Sequence, residues 1–437
     1  MTQRTAFALG SRLKALGKSL GLQPSAYSLE PSPENAINLS GVKIALSCSG
    51  LEHVRRGVET WSHEAFLGLR EQGVDVTLFQ GSGHNATPSV RVLPCIRRNS
   101  RLSNALTRLL PSWSWRLGVG SAYQMEQSTF ALNLFGLVRN RFEILHTKDP
   151  QVALLLHAAH RAGLSRAKVV LNHGTEEPPE FLNRFDYLQH LAPVRLEEAI
   201  RQGVRARRQF AIPNFVDTDK FSPGSGVALR RRLGIPQDAF VVLCVSAMRR
   251  RHKRIDWLLR EIAGVAGQTP RPLYLLVAGA TTPETDSLIR MGKELLGGRA
   301  IFLIDYPRER MPEVYRAADL FVLTSLKEML SNASLEALAS GLPCVMHREP
   351  VAQWAIGDGG ETIDMQQPGT LAQALVHYHH PERRVPAGER ARRQALARFS
   401  KDVVLSQQLE MYRAVMDDAA TRARPRGRDT THATRPA

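Results

Sequence analysis

Two carboxylates, Glu328 and Glu336, bracket the stretch of this 437-residue chain with the clearest capacity for chemistry, residues 324–345. Between them stand Ser331 and Asn332, either of which can cap a helix start. Leu335, Ala337, Leu338 and Ala339 fill a helical body, which Gly341 and Pro343 end. A helix start offers unpaired N–H groups and the positive end of a dipole, so it favours an anion. A nucleotide fits this pattern: a diphosphate on the helix end, ribose hydroxyls on Glu336, and a sugar hydroxyl beyond the phosphates on Glu328. On spacing alone, two solvated carboxylates around a surface helix remain the plainer account.

Holding such a stretch requires a strand on either side, and apolar runs at 319–323 and 344–346 supply them. The same alternation recurs along the chain. Strand-like runs at 42–47, 74–79, 143–146 and 168–172 are separated by helical segments, with Gly73 at the first return turn, and a second series falls at 240–245, 273–278 and 300–304. Strands alternating with helices predict an α/β protein with two doubly wound, Rossmann-like parallel sheets, each covered on both faces.

Other candidates sit where strands end, the edge at which open α/β sheets place ligands. Arg55, Arg56, Gly57, Val58 and Glu59 occupy the first strand-to-helix turn, and His146 and His173 end two later strands. A strand-end histidine is more often structural than catalytic. After the strand at 240–245 comes a basic loop, Arg249, Arg250, Arg251, Lys253 and Arg254, leading into a helix with Ile255, Leu258, Leu259 and Ile262 facing inward. Charge runs are commonly just solvated surface, but this one shares a sheet edge with Glu328, so its cations and the helix dipole could converge on one diphosphate. Trp113, Trp115 and Tyr123, with Arg101, Arg108 and Arg116, lie in a segment of no clean period. No GxxxxGK[ST] or GxGxxG follows any strand, which argues against a P-loop NTPase and a dinucleotide dehydrogenase.

Length implies two domains. No run is long and apolar enough to span a bilayer, and no secretory signal is evident, so a cytoplasmic location is expected. Cys48, Cys95, Cys244 and Cys344 are scattered without a CxxC pair, pointing to reduced core thiols rather than a zinc site or disulfide framework. The net charge is +17, of which the two ends, with nine basic and three acidic residues between them, hold about six. A body this basic attracts phosphate, whether on nucleotides, anionic lipids or nucleic acid. Leu9, Leu13, Leu16 and Leu20 recur at helical spacing among Arg12, Lys14 and Lys18, a pattern suited to a membrane surface, to docking on the protein's own domain, or to disorder.

Residues 42–416 resemble the family-4-type retaining glycosyltransferases of the two-domain GT-B fold. The resemblance rests on the Glu328/Glu336 pair in E-MLSNASL-E-ALASGLPCV, on Pro213-Asn214 followed by Val216-Asp217-Thr218 and Phe221, on Lys253, and on His173-Gly174. It implies a cleft between the halves and the transfer of a sugar, with retention, from a nucleotide-diphosphate sugar to a saccharide or lipid-linked acceptor in glycan or cell-envelope biosynthesis. A nucleotide-sugar epimerase or an inactive sugar-binding module on the same scaffold stand as alternatives. His173, Lys253 and Glu328 would be catalytic; Gly57, Arg249, Lys253, Ser331, Asn332, Ala333 and Glu336 would hold the donor, with no metal and no cofactor. Peripheral contact with an anionic membrane is expected, specific nucleic-acid binding is not. The sequence departs from the pattern three times: of the two glycines and Glu in the first turn only Gly57 and Glu59 match, Met329, Leu330 and Ser331 replace glycines after the first Glu of the pair, and Met248 stands at the usual arginine, making Arg249 its substitute. The implied layout is a basic leader over 1–40, an acceptor-side domain over 41–213, a nucleotide-sugar domain over 214–382, helices over 383–416 bracing back to the first domain, and a basic tail over 417–437.

Overall fold

The computed structural model describes residues 39–423, apart from 55–56, 86, 112–113, 115–117 and 268. Nearly all of the basic leader, Arg55, Arg56, Trp113, Trp115, Arg116 and the tail from residue 424 therefore lie outside the described residues.

Near-continuous apolar runs build two parallel sheets. The first contains β1 (Ile44–Cys48), β2 (Val76–Gln80), β3 (Val90–Val92), β4 (Ile144–Thr147), β5 (Lys168–His173), β6 (Tyr187–His190) and β7 (Arg208–Ala211), in the order β3-β2-β1-β4-β5-β6-β7. The second contains β8 (Phe240–Val245), β9 (Leu273–Gly279), β10 (Ala300–Ile304), β11 (Leu320–Leu323), β12 (Cys344–His347) and β13 (Gly360–Ile363), ordered β10-β9-β8-β11-β12-β13. Ile44 pairs with Val76 on one side and Ile144 on the other, and Leu243 likewise with Leu276 and Phe321. Both faces of these strands must be covered, which is why their residues are buried without alternation.

This strand order fixes where function can sit. The strand order of each sheet reverses once, between β1 and β4 and between β8 and β11, and the loops beyond the carboxyl ends diverge there to open a crevice. The loops after β1, β8 and β11 carry Gly57, Lys253 and Glu328.

The C-terminal helices divide their work differently from the expectation for 383–416. Helix Pro381–Arg398 belongs to the second lobe, placing Ala391 and Ala395 in its core beside Leu335 and Leu338. After it the chain crosses back at Phe399 and Ser400, where Val216 N donates to Phe399 O at 2.8 Å and Val216 bridges Ser400. Helix Lys401–Ala423 then buries Val404, Leu405, Met411, Tyr412 and Val415 in the first lobe's core with Trp61, Phe66 and Leu69. The bracing therefore starts at Lys401, because fully buried Phe399 anchors the preceding turn to the second lobe. Leu405 packs so closely on the first helix, Gly57–Glu71, that a Cβ on Gly68 would lie 2.5 Å from its Cδ1. Leu405→Ala is expected to cost about 2–5 kcal/mol, read as a lower urea midpoint for unfolding of the full chain.

Candidate active site between the lobes

The second lobe's contribution starts from helix Asn332–Ala339. Ser331 caps it, its hydroxyl accepting from Ser334 N at 3.3 Å, and Leu335, Ala337, Leu338 and Ala339 are fully buried. The amides of Asn332 and Ala333 have no partner among the described residues, so the positive end of the helix keeps free donors. Glu328, four residues upstream, pairs directly with the Lys253 ammonium. Lys253 is placed by its own backbone: Thr324, just beyond β11, donates its hydroxyl to Lys253 O at 2.6 Å. The following helix, Ile255–Val265, is pinned by fully buried Ile255, Leu258, Leu259 and Ile262.

Three links that are at least partly buried tie this rim to the first lobe. Asn332 Nδ2 donates to Gly57 O at 3.2 Å, and Asn332 Oδ1 accepts from Asn214 Nδ2 at 2.8 Å. A Cβ on Gly57 would lie 3.1 Å from the Asn332 amide nitrogen, so the close approach favours glycine there. Asn214 Oδ1 in turn accepts from Lys148 Nζ at 2.7 Å, with Lys148 buried over the Trp61 ring and its pKa pushed down to about 7 by that burial. The second link is Arg308, which reaches Glu336 at 2.6 Å and Glu64 of the first lobe at 3.3 Å. Glu336 also accepts from the Tyr315 hydroxyl at 2.7 Å. Burial opposes the charge on Arg308, but the two carboxylates outweigh it and hold its pKa above the usual arginine value. The third is Arg195, donating to Glu328 O at 3.3 Å and to Glu349 at 2.6 Å. Between the lobes lies a hollow of about 880 Å³, lined by Glu59 and Glu64 of the first lobe and by Lys220, Gly279, Asp305 and Arg308 of the second.

Residues 239–380 match the family described as Glycosyl transferases group 1. The chain is 29% identical over 401 residues to a D-inositol 3-phosphate glycosyltransferase of Mycolicibacterium smegmatis, covering 85% of this chain and 89% of that protein. These matches support a family-4-type glycosyltransferase. A relative of the same name from Geodermatophilus obscurus is 32% identical, over half of each chain. Among solved structures, the sucrose-phosphate synthase of Thermosynechococcus elongatus superposes with a TM-score of 0.69 at 18% identity, over 86% of this chain and all of that one. Anabaena HepE, solved with UDP and glucose, gives 0.67 at 17% identity, over 85% and 100%. Both likenesses are to the GT-B fold.

Within this glycosyltransferase, Gly57, Lys253, Glu328, Asn332 and Glu336 gather at the lobe interface. Ser331 is there too, but its hydroxyl is committed to the cap, and Ala333 contributes through its backbone, its carbonyl 3.3 Å from the Tyr315 hydroxyl. His173 ends β5, buried, with Nε2 3.0 Å from a Glu177 carboxylate oxygen and its ring edge-on to His190. Its loop meets the Glu328 loop through Glu176 and Lys327, 2.7 Å apart. Arg249 is not brought to Lys253: it is exposed and lines a separate hollow of about 470 Å³ with Thr282, Pro283 and Glu284. Beside it, the Arg250 backbone N–H is held by Glu284 at 2.9 Å. His146 is a core residue, bonded to the Tyr412 hydroxyl at 2.7 Å and held near pKa 3 by burial.

The residues missed are Arg308, Tyr315, Glu64, Lys148 and Arg195. Arg308 and Lys148 had a usable signal, since they follow β10 and β4 at the carboxyl edge of their sheets; Glu64, Arg195 and Tyr315 sit on helices and acquire their roles through long-range contacts.

The first lobe's wall holds a second cluster. Glu126 is fully buried, with His53 Nε2 at 2.8 Å, Arg98 Nε at 2.8 Å and Arg98 N at 2.7 Å. Asp149 lies beside it, accepting from Ser49 N at 2.6 Å, its pKa raised to about 6 by burial. Burial alone would raise Glu126 as well, but the hydrogen bonds from His53 and Arg98, with the guanidinium charge, hold it down at about 2. A depressed carboxylate stabilises the fold above its unfolded pKa of 4.5 and loses that contribution as pH falls toward 2. Glu126→Gln is accordingly expected to lower stability at pH 7 by on the order of 3 kcal/mol, with the gap from wild type closing between pH 4.5 and 2 in a pH series of denaturant titrations.

Proposed function

We propose that this glycosyltransferase moves a sugar from a nucleoside-diphosphate sugar to a saccharide or lipid-linked acceptor, with retention at the anomeric carbon. The observation carrying this reading is the convergence of Lys253, Glu328, the free helix start at Asn332 and buried Glu336 on one rim, opposite Gly57. The diphosphate sits at the Asn332 and Ala333 amides beside Lys253, and Glu336 receives the ribose hydroxyls. HepE's recorded complexes with UDP and UDP-glucose support a nucleotide-sugar donor, and uridine comes first among bases to try.

The costly event in such a transfer is departure of a diphosphate carrying new negative charge, and fixed donors aimed at that charge lower the barrier. Lys253 and the helix start supply them. Glu328 and His173 orient the sugar ring, and the leaving phosphate oxygen takes the acceptor's proton, so the chain needs no separate general base and no metal. Relatives named for D-inositol 3-phosphate add a phosphorylated polyol to the acceptor classes worth testing.

A thermal-shift series with uridine, guanosine and adenosine diphosphates and their sugars is expected to show stabilisation by one base class; an unchanged melting temperature with all of them overturns the reading. Lys253→Ala is expected to lower kcat by roughly 10²–10³-fold while shifting nucleotide Kd far less. Glu336→Ala should instead weaken nucleotide binding by about tenfold or more, measured by calorimetry. Retention is checked by the anomeric configuration of the first product, read by proton NMR.

A further inference from the structure

The segment without a clean period contains a helix, Arg101–Leu109, and its orientation is the reverse of the usual one. A surface helix ordinarily buries its apolar stripe and shows its polar face to water. Here the buried residue is Ser103, whose hydroxyl donates to Arg98 O at 3.1 Å and Ser100 O at 2.9 Å, with Thr107 bonded back to Ser103 O at 2.9 Å. Leu102 and Leu109, two turns apart on the other side, are 56% and 81% exposed. Leu106, between them on the same stripe, is half-buried.

Charge around this stripe has one sign. From Val76 to Met125 the sequence contains no Asp or Glu and six arginines. Arg97, Arg101 and Arg108 are exposed at the helix, and no carboxylate pairs with them among the described residues. From these two observations, we infer that the exposed face of helix Arg101–Leu109 is a docking surface for an anionic lipid bilayer, leucines entering the headgroup boundary and arginines meeting lipid phosphates. A soluble polyanion would satisfy the arginines and leave the leucines in water, so the leucine stripe selects the membrane.

The surface connects to the cleft. Arg98, just before the Ser100 cap, holds Glu126, and a Cβ on Gly50 would lie 3.0 Å from Arg98 Nη2 and 2.5 Å from Glu59, which lines the hollow. Docking through this helix would set the first lobe's wall against the membrane, where a lipid-borne hydroxyl could reach it. The inference needs no particular donor: a failed nucleotide series leaves it standing, and failed vesicle binding leaves the donor reading standing.

Flotation of the full-length protein with vesicles tests it. Wild type is expected to float with phosphatidylcholine–phosphatidylglycerol vesicles, to stay behind with phosphatidylcholine alone, and to release at high salt. Leu102→Ser with Leu109→Ser should reduce the partition on the order of tenfold or more with an unchanged melting temperature, and Leu102→Ile with Leu109→Ile should retain it. A Leu109→Cys protein carrying an environment-sensitive dye should blue-shift with the anionic vesicles only. Binding that survives the serine substitutions undiminished, or a dye that never leaves water, overturns the inference, as does polyphosphate binding that matches vesicle binding in every variant.

Discussion

A buried carboxylate sets the terms for this molecule. Glu336 is 4% exposed, and an ionised carboxylate taken out of water is tolerated only with partners that return what solvation gave it. Tyr315 supplies a neutral donor from within the second lobe, and Arg308 supplies the countercharge. Because Arg308 also reaches Glu64 across the cleft, neutralising one carboxylate in one lobe draws in a residue of the other. The lobes are thus coupled at the position where a nucleotide ribose is proposed to bind. Glu176 and Lys327 also span the lobes, but they are more than half exposed, and such pairs contribute little. The buried links carry more of the coupling.

The rest of the fold keeps those links in register. The two switch points face each other because the chain crosses between lobes twice, once at Asn214–Val216 and again at Phe399–Ser400, and these crossings are hydrogen-bonded to one another. Asn214 makes the coupling specific: within two residues of the crossing, it receives Lys148 from the first lobe and donates to Asn332 of the second. Lys148 is not a spare cation. Burial has weakened its hold on its proton, and the Trp61 face together with one amide oxygen stabilises what charge remains.

Much of this was legible in the sequence, for physical reasons that also mark the limits. Long buried strands such as FVVLCV announce themselves because both faces are apolar, whereas β3, β6, β7 and β13 are three or four residues long and carry polar residues, leaving no period to read. The helix after Glu328 was readable from its cap and stop, because those are local chemistry. Arg249 went astray for the opposite reason: which basic residue of RRRHKR faces the cleft depends on how Glu284 and Thr324 hold the loop backbone, and both contacts are long-range. Helix Arg101–Leu109 was missed because its leucine stripe faces outward, while the neighbouring residues supply none of the alternation that would mark a strand.

The placement of partners also decides what the large positive charge does. Three cations at the cleft have carboxylates beside them: Lys253 has Glu328, Arg308 has Glu336 and Glu64, and Arg195 has Glu198 and Glu349. The cleft is therefore close to balanced, and a diphosphate would be recognised there by geometry, through amides and a lysine at fixed positions, more than by bulk attraction. Arg97, Arg101 and Arg108, by contrast, stand beside exposed leucines with no carboxylate paired to them among the described residues. A field from unpaired charges acts over about a Debye length and attracts a charged surface more effectively than a single small anion. The excess charge is thus best explained by the outside of the first lobe, leaving the cleft free to discriminate by shape.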